Sequence, residues 1–352
     1  MNKYIPEKLN KLKPYNPTEN IYDIKLDANE SFENLPSKII KQINKRISKI
    51  EFNRYPDPFA TTLCQKYAEH YNLWSYNVVA GNGSDELISI IISSFLNKGD
   101  NLLTFTNEFS MYGFYADNFQ IENIVVPKNS DLHIDFEEAK RVIEKENIKM
   151  VIFSNPCNPT GQGEPLEKVL DFVNNVDCLV VVDEAYMDFW DQSIIPFIPK
   201  LSNLIVLKTM SKDFGVAAAR LGFAMAQKEI IEAIIKAKSP FNVNTLSQTV
   251  GEVLLDNIDV IESIRKKIIS YKNDLEKKLV KLQESENIKR NFNVIKTLTN
   301  FILIESEYAS DIYGELLKKS ICVRLLGKHL RITSGSKAEN EAFYKAFESI
   351  VK

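Results

Sequence analysis

The segment "LKTMSKDFGVAAARLGF" (residues 207–223) turns from apolar to polar within a few positions. Thr209 and Ser211 bracket a methionine, Lys212 follows, and a run of small residues closes on Arg220. The run that leads into it, "NLIVLKT", is one of seven between about residues 75 and 226, with "NVVAG", "NLLTFT", "IENIVV", "KMVIFSN", "CLVVVDEAY" and "RLGFAMA". Continuous Val/Ile/Leu runs bounded by Asn, Asp and Gly suit strands buried on both faces, and amphipathic segments alternate with them. The expected fold is α/β, a large domain with a mostly parallel central sheet flanked by helices. Ligands of such sheets gather outside the carboxyl ends of the strands, so the residues that follow each run are the candidates for chemistry.

Beyond Pro240 the pattern becomes a long helical region from "NTLSQTV" to "KKLVKL". Short strands ("FILIES", "ICVRLL", "HLRIT") and a terminal helix come after it, as expected of a smaller α+β C-terminal domain. The division reads as an N-terminal arm over 1–40, a large domain over 41–245 and a small domain over 246–352. The chain has 352 residues and 44% hydrophobic content, enough for a large core and more than one folding unit. Its 44 basic and 47 acidic residues are interspersed, so no basic face exists for nucleic acid. No apolar run approaches the ~18 residues of a membrane span, and the polar N-terminus has no signal-like core. The expectation is a soluble cytoplasmic protein. Four widely separated cysteines without a CxxC pair indicate neither a disulfide framework nor a zinc knuckle, and a His-based metal site or a serine–histidine triad would have to be assembled from three isolated histidines, so none of these is expected.

At the strand ends the residue types are complementary. "GNGSDEL" places glycines before Ser84 and Asp85 at a helix start, which reads either as a phosphate cradle or as an ordinary helix cap. "SNPCNPTG" carries Asn158 in a turn fixed by two prolines, with a cis peptide as one option. "DEAY" sets Asp183 at a strand end with Tyr186 three residues on. A Walker B carboxylate looks similar, but no GxxxxGK[ST] partner is present. Thr209, Ser211 and the fork of Arg220 suit a dianionic phosphate. Lys212 is then free for other work. Desolvation and the neighbouring Arg220 both disfavour its ammonium form, and a neutral lysine attacks carbonyls. Phosphate cradle, carboxylate, aromatic and carbonyl-reactive lysine together describe one cofactor, pyridoxal 5′-phosphate.

With these motifs the sequence resembles the fold-type I aminotransferases of class I/II, and more closely the histidinol-phosphate aminotransferase family. "SNPCNPTG", "VVVDEAY" and "TMSKDFGVAAARLGF" are similar to the cofactor motifs. "LKPYNP", "LDANES", "RYPDP", "PFNVN" and "LRITSG" are similar to patterns of the narrower family. The resemblance implies that Lys212 holds the cofactor and shuttles a proton, and that Asp183 pairs with the ring nitrogen. It implies that Asn158 and Tyr186 bind the ring oxygen, that Tyr112 stacks on the ring, and that Ser84, Asp85, Thr209, Ser211 and Arg220 hold the phosphate. Tyr55 would reach the phosphate of a neighbouring subunit, which implies a homodimer. Arg324 and Arg331 would bind the anionic groups of the substrate, with Tyr15 and Asn29 of the arm closing over it. The stretch between the two arginines, "LLGKHL", is shorter than is usual in the family.

The implied activity is transfer of an amino group from L-histidinol phosphate to 2-oxoglutarate, a step of histidine biosynthesis. The readings set against it are a threonine-phosphate decarboxylase of cobamide synthesis, an aromatic amino acid aminotransferase, and a catalytically silent sensor domain. The last requires a DNA-binding segment for which the N-terminal arm is too short.

Overall fold

The structure, a computed structural model, describes residues 4–10 and 21–352. A two-residue strand, β1 (Ile24–Lys25), comes first. Each of the seven apolar runs then supplies one strand: β2 (Val78–Asn82), β3 (Asn101–Phe105), β4 (Glu122–Val126), β5 (Ile148–Ser154), β6 (Leu179–Asp183), β7 (Leu204–Thr209) and β8 (Leu221–Ala226). They form one sheet in the order β2-β8-β7-β6-β5-β3-β4. The pairs among β3, β4, β5, β6 and β7 are parallel, whereas β8 runs antiparallel to both β7 and β2. The expectation of a mostly parallel sheet holds.

The continuous apolar runs have the physical cause expected of them. Successive side chains of a strand point to opposite faces, and here both faces are covered. Val151, Phe153, Val180, Val182, Leu204 and Val206 enter one core, with residues of the helices Thr61–His70, Phe136–Lys145 and Leu166–Asn174. Met150, Ile152, Val181, Ile205 and Leu207 enter the other, with the helices Ser84–Phe95 and Lys228–Ala237.

The long helical region is two helices, Thr245–Leu255 and Ile258–Gln283, separated where Asn257 leaves helical geometry. A second sheet follows, built from β9 (Asn293–Ile295) and β10 (Phe301–Glu305). The run "ICVRLL" divides into β11 (Ile321–Cys322) and β12 (Arg324–Leu326), and β13 (His329–Thr333) completes the set. Strand β9 and the helix Ala309–Lys318 were not anticipated. The four-stranded sheet has the antiparallel order β12-β13-β10-β9, while β11 turns away and pairs in parallel with β1. Leu26 joins the core under this sheet, with Ile302, Leu330 and Phe343. Among the described residues no helix is long and apolar enough to cross a membrane.

Candidate active site

Because β8 is antiparallel to its neighbours, its first residue lies at the edge where β2 and β7 end. That reversal answers why an arginine follows the Thr-Met-Ser-Lys turn. Arg220 immediately precedes β8, Thr209 is the last residue of β7, and the helix Ser84–Phe95 begins just past β2, so all three meet at one edge. The N-cap of that helix is Gly83 (φ +83°), which has no side chain to cap with, so the first-turn N–H groups remain available to an anion. Ser84 is therefore the first helical residue and not the cap. Arg220 lies over this turn: a Cβ on Gly83 would sit 2.7 Å from its Nη2. The Thr209 hydroxyl donates to Ser211 Oγ at 3.0 Å and accepts from the Ser211 N–H at 3.1 Å, which fixes the two hydroxyls relative to each other at the same edge of the sheet.

Gly222 permits this approach. A Cβ there would fall 2.1 Å from Ser84 N, a backbone atom that cannot swing aside. Gly222→Ala is expected to destabilise the fold by about 1–3 kcal/mol, as overpacking does, and to weaken phosphate binding at the same turn. Thermal unfolding and phosphate titration of the same variant check both effects. An unchanged melting temperature would mean that the turn yields.

Asp183, the last residue of β6, is buried. Its Oδ2 accepts from the Tyr112 hydroxyl at 2.9 Å and its Oδ1 from the Ala185 N–H at 3.1 Å. Burial pushes its pKa up to about 6 against these two hydrogen bonds. Tyr112 is itself buried, and its hydroxyl is pushed well up in pKa by burial and the nearby Asp183, so it remains a donor.

Lys212 is partly buried, and its Nζ donates to the Ala28 carbonyl at 3.1 Å. Its pKa falls to about 8, first through desolvation and next through Arg331, with Glu30 opposing and Arg220 contributing last. The cation expected to act on the lysine was Arg220. Arg331 outweighs it, because the small sheet brings a second guanidinium over the site.

Arg331 is buried on β13 and lies over the Phe301 ring, with Cζ 5.4 Å from the centroid. It donates from Nη1 to Asn158 Oδ1 and from Nη2 to the Asp27 carbonyl at 2.7 Å. The first bond fixes the amide of Asn158, leaving Nδ2 as the end that can donate into the site. The peptide bonds before Pro156 and Pro159 in this turn are cis. The short segment between the arginines is a tight hairpin that pairs Arg324 directly with Arg331. Directly paired residues of antiparallel strands share a face, so the two guanidinium groups can converge on one anion.

Asn29, in left-handed backbone (φ +54°), donates from Nδ2 to the Tyr186 hydroxyl at 2.8 Å. Thr333, two residues beyond Arg331, accepts from the Asn29 N–H at 2.9 Å and donates to Asn29 Oδ1 at 3.1 Å. Thr333 and Phe301 were not anticipated. The strand period in "LRIT" could have found Thr333, since positions two apart share a face.

Lys212, Asp183, Tyr186, Tyr112, Asn158, Asn29 and Arg331 are thus joined by direct contacts or mutual electrostatics. Thr209, Ser211, Arg220, Ser84 and Asp85 line the adjoining turn. Tyr55 stands apart, 82% exposed and stacked on Phe241 with centroids 4.6 Å apart. Tyr15 lies outside the described residues.

A family model, aminotransferase class I and II, matches residues 22–347, and the chain belongs to that family. A histidinol-phosphate aminotransferase of Clostridium novyi is 40% identical over 333 residues, 93% of this chain and 92% of the relative. One from Clostridium kluyveri is 38% identical over 99% of both. Within its class, the chain is a member of the histidinol-phosphate aminotransferase family. The crystal structure of histidinol-phosphate aminotransferase from Sinorhizobium meliloti in complex with pyridoxal-5′-phosphate superposes with a TM-score of 0.89 over 99% of each chain, at 21% identity, a likeness of fold.

Proposed function

We infer that this chain transfers the amino group of L-histidinol phosphate to 2-oxoglutarate, giving imidazole acetol phosphate and L-glutamate, with pyridoxal 5′-phosphate as cofactor. The donor set fits that cofactor. Asp183 is a buried carboxylate held by two neutral donors, and what such a group lacks is a cationic N–H partner, as a protonated pyridine provides. When bound, the cofactor supplies an aldehyde and an electron-accepting ring.

The residues do the rest. Lys212 presents a neutral amine to the aldehyde and afterwards carries a proton to and from the reacting carbon. Asp183 would keep the proton on the ring nitrogen. Tyr186 and Asn158 would donate to the ring oxygen. The first turn of the helix at Ser84 and Asp85, with Thr209, Ser211 and Arg220, holds the phosphate.

The observation that carries the substrate assignment is the direct pairing of Arg324 with a buried Arg331 beside Lys212. Two guanidinium groups on one face suit an anion, first the phosphate of the donor and then a carboxylate of 2-oxoglutarate. Arg331→Ala is expected to cost the phosphorylated donor about 2–5 kcal/mol, roughly 30-fold or more, as truncation of a buried charge pair does. Cofactor affinity should change only a few-fold. Half-reaction spectra with histidinol phosphate, threonine phosphate and phenylalanine test this, and equal losses for donor and cofactor would make Arg331 structural. Release of carbon dioxide from threonine phosphate would favour the decarboxylase.

The same reading includes a homodimer in the cytoplasm, in which Tyr55 reaches the cofactor phosphate of the neighbouring subunit. The exposed rings of Phe52, Tyr55 and Phe59 support it. It also includes the arm over 1–40, with Tyr15 closing on the substrate, and domains over 41–245 and 246–352.

A further inference from the structure

We propose that Thr333 is a positioning residue that decides where the proton of Tyr186 points. The inference rests on the cofactor reading above and adds to it a control element in the small sheet. A tyrosine hydroxyl has one proton to give and can also accept. Tyr186 accepts from Asn29 Nδ2, and its own proton has no acceptor among the described residues, so it is available to the ring oxygen.

That arrangement depends on the Asn29 amide being the right way round. The oxygen and nitrogen ends of an asparagine amide are nearly the same size, so only hydrogen bonding selects one orientation. In the reversed orientation Oδ1 would face Tyr186 and capture its proton. Thr333 provides the selection. Its Oγ1 is occupied as an acceptor by the Asn29 N–H, and its proton goes to Asn29 Oδ1, which turns Nδ2 toward Tyr186. Asn300 Nδ2 donates to the Asn29 carbonyl at 3.1 Å, so the backbone of Asn29 is held from a second side. Asn29 is almost fully buried, so no solvent can substitute for these partners.

Around Tyr186 the charged and titratable neighbours are Arg331 from the small sheet, Asp183 from the large one, Cys157 from the turn before Asn158, and Lys212 with Nζ 6.0 Å from the ring centroid. Thr333 touches none of their side chains in the hydrogen bonds described, so it acts on Tyr186 through Asn29. In Thr333→Val the hydroxyl is gone while the shape stays. In either amide orientation the Asn29 N–H then loses its acceptor and one end of the amide is also left unpaired, so the bias between the orientations is lost and Tyr186 is diverted part of the time.

The readout is the pH midpoint of the visible absorption of the Lys212-bound cofactor. A hydroxyl that donates to the ring oxygen engages the lone pair on which the titrating proton is shared, and losing that donor makes the proton harder to remove. Holoenzyme carrying Thr333→Val should show its midpoint raised by about half to one pH unit, a part of the roughly one to two units that a whole hydrogen bond to a charged acceptor is worth, because Tyr186 is diverted only part of the time. Thr333→Ser should restore the wild-type midpoint. In a Tyr186→Phe background, Thr333→Val should add almost nothing.

A wild-type midpoint in Thr333→Val overturns the proposal, even if the variant melts earlier, because that pattern is a structural effect alone. A shift of the same size in the Tyr186→Phe background also overturns it, because the effect would then bypass Tyr186. Wild-type protein without any Lys212-dependent band would overturn the cofactor reading and this proposal with it.

Discussion

Lys212→Ala is expected to lower turnover by more than about 10⁴-fold, the upper end of what one positioned acid–base group contributes, because two roles are lost together. The amine both joins the cofactor and carries the proton. Borohydride reduction of wild-type holoenzyme followed by peptide mapping should place the cofactor on residue 212, and the variant should yield no reduced adduct. An adduct on another lysine would sink the assignment. The pH dependence follows from the lowered pKa of about 8. Only the neutral amine attacks a carbonyl, so cofactor capture by the apo-protein should rise with pH through about 8 and level off above it. At pH 7 about one amine in ten is already neutral, far more than at the ordinary lysine pKa. The stability linkage has the same origin. Between about 8 and the usual 10.5 the unfolded chain binds the proton that the folded chain has shed, so apo-protein stability gains from this group as pH rises through that window.

Asp183→Asn should separate catalysis from stability. Turnover should fall by roughly 10³-fold, within the 2–5 kcal/mol lost when one side of a buried charge pair is removed. The apo-protein should nonetheless melt higher at pH 8, because the carboxylate is buried with only neutral hydrogen-bond donors, Lys208 acting on it weakly, and its pKa of about 6 records the net cost of burial. The sign is opposite to the usual carboxylate case. With the folded pKa raised above 3.8, the folded state takes up the proton first, so stability improves as pH falls from about 6 toward 3.8 and the variant's advantage disappears there. Melting curves of wild type and variant at pH 4 and pH 8 check this. A variant less stable than wild type at pH 8 would mean that Asp183 has a cationic partner in the apo-protein.

Much of this was legible in the sequence because it depends on neighbours in the chain. Apolar runs marked β2 through β8, and the polar residue ending each run marked the site, as with Asp183 on β6 and Thr209 on β7. The meeting of Arg220 with the Ser84 turn was implied by the family resemblance, while residue types alone left that turn open between a phosphate cradle and a helix cap. Its cause, the reversed direction of β8, leaves no trace in periodicity, since a strand buried on both faces reads the same either way. The unread parts are contacts across long chain separations. Asn29 and Thr333 are 304 residues apart, and no local pattern records that their donors and acceptors match. The dominance of Arg331 over Arg220 at Lys212 likewise comes from packing one sheet against another. The strand β9 is three residues long and escaped for want of any alternation to detect.

The pairing of β1 with β11 bears on how the chain is synthesised. Ile24 and Ile321 are partners, yet nearly three hundred residues separate them. The leading segment emerges from the ribosome long before its partner exists, and it must wait, unpaired, until almost the whole polypeptide has been translated. A fragment beginning at residue 246 would lack Leu26 in its interior and would present β11 as a bare edge open to self-association. Supplying residues 21–36 as a separate peptide should restore such a fragment's solubility.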